Sequence, residues 1–215
     1  IFYGGNTLQE SNRLLEAWIR DYLANQTEAE DDSSSSTVGA ITWIDVHTGL
    51  GTMGEDTMMV DTSSMETSGK RAMEAQVAQF FPDALFTPSS PASKKETNAV
   101  SQGYEQSKGF VINYFDQHVL PRQNSPLLMV QEFGTVPGTL VGHALMMENA
   151  AYWSSSWNDF QKLEWAKQTT GRAFYPQSPE WRRAILTRGL TLLFQALSRS
   201  SQTAIPTSTS TTASA

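Results

Sequence analysis

Apolar residues fall on one side of a 3.6-residue helix near the start of the chain, at Leu14, Leu15, Trp18, Ile19 and Tyr22. Thr7 and Glu10 stand at capping-box spacing just before them, so the pattern predicts a helix over 8–24. The next stretch, "NQTEAEDDSSSST" (25–37), is acidic and serine-rich with almost nothing to bury, and reads as a solvated loop. "AITWIDV" (40–46) is short, apolar and β-branched between turn formers, the pattern of a strand buried on both faces of a parallel sheet. A shorter strand is expected at "TMMV" (57–60), and a helix over 68–81 through Met73, Val77 and Phe80. Residues 82–98 carry three prolines and read mostly as loop, and 107–120 fit a helix or a strand.

"PLLMVQEFG" (126–134) is a second buried-strand candidate, and it ends on a carboxylate. Pro137 suits the first turn of a helix running on through Trp153, a further helix is expected over about 158–169, and Ser178 with Pro179 opens a last helix over 178–199. The Ser/Thr-rich residues 200–215 are expected to be disordered. Strands alternating with helices predict an α/β fold, a mostly parallel or mixed central sheet flanked by helices, with residues 1–199 as one domain and ligand chemistry at the carboxyl ends of the strands.

Composition narrows the chemistry. With 22 acidic against 15 basic residues the net charge is -7, which disfavours a grip on nucleic acid. The absence of cysteine removes disulfides, thiolate metal sites and thiol nucleophiles, so any metal must be held by His, Asp or Glu. No apolar run is long enough for a membrane span, and the basic-then-apolar pattern of a signal peptide is lacking. The first residue is not Met, which suggests a chain cut from something longer. Asn25-Gln26-Thr27 has the form of a glycan acceptor, a triplet that often occurs by chance.

The chemistry concentrates in "WIDVHTGLGTMGED" (43–56), where Gly49, Gly51 and Gly54 follow His47. The glycine spacing is that of a dinucleotide cradle, but such a cradle needs a helix opening from the last glycine, and "EDTMMV" follows instead. His47, at the carboxyl end of a predicted strand, is placed either to bind a metal or to bond a neighbouring backbone group. Asp45 shares its face by the period of two, and could orient the imidazole or cap the turn. Glu132 ends the later strand, where it could serve as a general base, cap the helix near Pro137 or pair with a local Arg.

"FYGG", "WIDVHTGLGTMGED", "QEFGT", "MMENAAYW" and "YPQSPEWRRAILTRGLTLLFQAL" together resemble the carboxypeptidase-like, domain-of-unknown-function branch of the zinc carboxypeptidase superfamily. The resemblance covers most of residues 1–197, and its two main blocks place His47 and Glu132 85 positions apart. It implies a catalytic zinc with His47 as its late ligand, Glu132 as general base, and the glycine loop shaping the pocket for a peptide or small amide substrate. It also implies an early His/Glu pair and an Asn-Arg segment, both normally upstream of "FYGG". Asn12-Arg13 lies on a predicted helix in the wrong place for that role, and His118 and His143 are read as ordinary helical residues. The resemblance therefore describes a C-terminal portion of a hydrolase domain, inactive by itself. The alternative is a non-catalytic binding module on the same fold.

Overall fold

The computed structural model describes residues 6–28, 40–60, 67–86, 111–120, 126–154 and 159–203. The acidic stretch from 29, the proline-rich segment from 87 and the tail from 204 lie outside them. The described elements are α1 (Glu10–Glu28), β1 (Thr42–Gly49), β2 (Asp56–Val60), α2 (Thr67–Phe80), β3 (Leu85–Phe86), α3 (Val111–His118), β4 (Leu127–Gly134), α4 (Gly138–Ser154), α5 (Phe160–Phe174) and α6 (Pro179–Thr203). No helix among the described residues is long and apolar enough to cross a membrane.

The architecture is α/β, and the sheet is mixed. Its strand order is β1-β4-β2-β3. β2 lies antiparallel to β4, with Thr57 opposite Glu132, and parallel to β3. Leu127 donates its amide to the Ile41 carbonyl at one end of the β1–β4 pair, and Thr135 Oγ1 donates to the Gly49 carbonyl at the other. These two strands thus run in the same direction, and His47 and Glu132 lie toward the same end.

Two departures from the sequence pattern have clear causes. β1 is not buried on both faces: its residues are mostly half-covered, and Val46 is 60% exposed. An apolar β-branched run reads the same whether its strand is central or outermost, and β4 takes the central place here, buried at six of its eight positions. β3, inside a stretch expected to be mostly loop, is only two residues long and is defined by its pairing with Met59 and Val60. The ambiguous 107–120 segment is helical at α3, and α6 continues past 199 to Thr203 as Ser200 Oγ bonds the carbonyls of Ala196 and Ala40.

By its contacts the chain forms two compact units. The first comprises Ile1–Trp43, Lys108–Leu127 and Ala196–Ala215. Its core joins Ile19, Ile112, Phe115, Val119 and Leu127, with the Trp43 and Phe115 rings 4.9 Å apart. Leu14, Trp18 and Tyr22, all on the predicted apolar face of α1, are more than half exposed, and Trp18 stacks on Tyr22 instead. Glu16 accepts from both Arg20 and the Tyr114 hydroxyl, and Arg20 also donates to the His118 carbonyl, tying α1 to α3. The fully buried Arg199 donates to the Ile41 carbonyl and to Thr42 Oγ1, and burial lowers its proton affinity.

The second unit, Ile44–Ser107 and Leu128–Gln195, holds most of the sheet. Met58, Val60, Val77, Phe81, Met129 and Phe133 form its apolar centre. α6 starts where Ser178 predicts, because Ser178 Oγ accepts the Trp181 amide at 3.2 Å and so satisfies an end group of the first turn. Its Arg188 grips Asp56 Oδ1 at 2.7 Å while Gln131, itself buried, donates to Asp56 Oδ2 at 2.7 Å. α6, β2 and β4 are thereby fixed to one another by a single carboxylate.

Arg199→Met removes two bonds made by a buried cation and leaves the Ile41 carbonyl with the Leu127 amide as its remaining donor. The expected cost is roughly 2–4 kcal/mol, read as a lower urea midpoint. An unchanged midpoint would show that the buried guanidinium contributes nothing net.

Candidate functional site

The site is built where β1 and β4 end. β1 alternates its side chains, so Asp45 and His47 project on one face, and His47 Nε2 lies 3.1 Å from Asp45 Oδ2. That pairing occupies one ring nitrogen and leaves the other. The imidazole is partly open to solvent, with 42% of its side chain exposed.

After His47 the chain turns back through residues 49–55 and is fastened onto the end of β4. Gly49, Gly51 and Gly54 all have positive φ, of 155°, 111° and 79°. At Gly54 this is the left-handed region that side-chain-bearing residues avoid, so the glycine spacing here serves a backbone turn. The Gly54 amide donates to the Gly134 carbonyl at 3.1 Å, and the Gly134 amide donates to the Glu55 carbonyl at 2.9 Å. Trp181 Nε1 donates to the same Gly134 carbonyl at 2.8 Å, with its ring buried and edge-on to Tyr175. Gly134 itself is hemmed in by backbone: an added Cβ would collide with the Thr52 carbonyl oxygen and lie 2.5 Å from the carbonyl carbons of Gly51 and Thr52.

Glu132 sits beneath this turn. Its Oε1 accepts the Leu50 amide at 3.0 Å, and among the described residues it neither caps α4 nor pairs with an arginine, two of the roles left open by the sequence. Burial pushes its carboxyl above the usual carboxylate range, against the opposing pull of the Leu50 amide and of His47. A carboxyl with raised proton affinity, fixed by one oxygen, is better able to accept a proton than an ordinary exposed carboxylate.

The structure thus brings together His47, Asp45, Glu132 and the three glycines on one turn. His118 ends α3 with its ring beside Tyr114, and His143 is exposed on α4. Among the described residues no three His, Asp or Glu side chains are grouped closely enough to hold a metal ion. Sequence reasoning gave no role to Gly134, Thr135 and Trp181 and did not single out Phe174, whose importance arises from approaches between distant segments. A glycine directly after "QEF" was the one visible signal.

Residues 1–188 match the family model described as "Protein of unknown function (DUF2817)", and the chain belongs to that family. No curated protein and no solved structure matches it.

Gly134→Ala forces the 50–54 turn off the end of β4 and is expected to cost roughly 3 kcal/mol or more in a thermal or urea melt. A near-native midpoint would mean that the turn yields freely. Glu132 gives a pH signature. Its carboxyl binds a proton more tightly folded than unfolded, so its contribution to stability is full below the unfolded-state pKa and is lost as pH rises through the folded value. Glu132→Gln does not titrate, so in metal-free protein it should gain stability relative to wild type as pH rises from the unfolded-state pKa through the raised folded one. A difference independent of pH would contradict the buried-carboxyl assignment.

Proposed function

We propose that this member of the family is part of a zinc-dependent, carboxypeptidase-like hydrolase of peptide or small amide bonds. One observation carries the reading: a histidine and a carboxyl of raised proton affinity stand at the same end of two neighbouring strands, joined by a glycine turn whose Leu50 amide holds the carboxyl in place.

The residues fit a zinc site in part. His47 offers one imidazole nitrogen with Asp45 orienting the ring from the other side, the arrangement that fixes the tautomer of metal-binding histidines. Further ligands would come from outside the described residues. Bound there, zinc would supply Lewis acidity toward a carbonyl oxygen and acidify a water molecule.

The chain's own residues account for the proton handling. Glu132, held at Oε1 by the Leu50 amide, keeps its other oxygen for the attacking water. It would take the proton from that water, which its raised affinity favours, and deliver it to the departing amine, the stronger base. The turn at 49–54 shapes the wall beside it, and its exposed Leu50 and Met53 give that wall an apolar character.

Elemental analysis and amide hydrolysis, both on the protein at its full natural length, test the reading. Wild type should carry about one tightly held zinc per chain, and His47→Ala should lose it. Glu132→Gln should keep the metal and lose turnover by about a hundredfold or more. Near-normal turnover in Glu132→Gln refutes the base, and zinc-free wild type supports the binding-module alternative.

A further inference from the structure

Gly49 is crowded from two directions. A Cβ built there would stand 3.0 Å from Phe174 Cε1 and 3.4 Å from Cδ1 of the same ring, and 3.4 Å from Glu132 Oε1. The bare α-carbon therefore lets an aromatic ring and a carboxylate oxygen approach the same spot. That oxygen is the one bonded to the Leu50 amide, the next residue along the turn. Phe174 is the last residue of α5, and the following Tyr175 amide still bonds the Gly171 carbonyl, which closes the helix end and fixes the direction in which the ring leaves it. The preceding Ala173 is buried, so the α5 terminus is anchored in the core rather than free to swing.

We infer that Phe174 is a positioning residue for Glu132: its ring, admitted by the side-chain-free Gly49, covers one side of the Leu50–Glu132 hydrogen bond and holds the carboxylate against the turn. A hydrogen bond to a charged oxygen is stronger and better directed where water is kept from competing for it. Aromatic carbon beside the bond offers water no partner, so the oxygen held by the Leu50 amide stays fastened. As a role for Glu132, this rests on the hydrolase reading above; as a statement about the hydrogen bond, it stands without any metal or substrate. It also explains why glycine is required at 49 beyond its backbone angle, since any side chain would push the ring away from the carboxylate.

Amide hydrogen exchange in the full, metal-free chain tests it, because the Leu50 amide reports directly on the bond that Phe174 covers. Phe174→Ala should speed exchange at Leu50 about tenfold while the Gly54 and Gly134 amides, bonded to the Gly134 and Glu55 carbonyls, stay within about twofold of wild type. Phe174→Leu, which restores apolar cover, should bring Leu50 back toward the wild-type rate. Where Phe174→Ala does not fold, Phe174→Val is read in the same way. An unchanged Leu50 rate overturns the proposal. So does a common rise at all three amides, which would mark Phe174 as packing for the whole turn, and so does a Leu variant that fails to restore protection. Loss of the zinc reading leaves this measurement intact, and failure here leaves zinc binding at His47 untouched.

Discussion

The carbonyl and amide of one residue, Gly134, hold the site together. Its carbonyl receives the Gly54 amide and the Trp181 indole, and its amide reaches Glu55, so the end of β4, the glycine turn and the start of α6 meet at a single residue. The approach is so close that no side chain fits there. Everything chemical nearby depends on it. The turn must lie flat on the strand end for the Leu50 amide to reach Glu132, and the carboxyl owes its raised proton affinity to the burial that this contact produces. A site of this kind is held by backbone hydrogen bonds rather than by a cluster of charged side chains.

Much of the fold was legible in the chain. Ser178 and Pro179 announced the start of α6, and the Ser178 hydroxyl does bond the first turn, because capping is a local event set by neighbouring residues. Asp45 and His47 were expected on one face by the period of a strand, and they meet there. The burial of β1 was not legible, since that depends on which strand the sheet places beside it. Leu14, Trp18 and Tyr22 on α1 follow the same lesson: helical periodicity identifies an apolar face but not what covers it.

The candidate site divides in the same way. His47 and Glu132 could be picked out as chemically able groups at strand ends. The choice among a cap, an ion pair and a held carboxyl for Glu132 required knowing that Leu50 comes to it from 82 positions away. Phe174 carries no motif at all, and its relevance lies entirely in the empty α-carbon of Gly49. The glycine spacing, which by itself suggests a nucleotide cradle, is accounted for by a backbone turn with φ values of the required sign.

The distances in sequence across that turn have a consequence for how the molecule is made. The Leu50–Glu132 and Thr135–Gly49 bonds close loops of 82 and 86 residues, whereas the turns of α4, α5 and α6 close over four. Helices can therefore form from local contacts alone, while the site must wait for the ordering entropy of a long intervening chain to be overcome. In kinetic terms the chemistry belongs to the slow, non-local part of folding. A chain can show most of its native helicity before His47 and Glu132 have met.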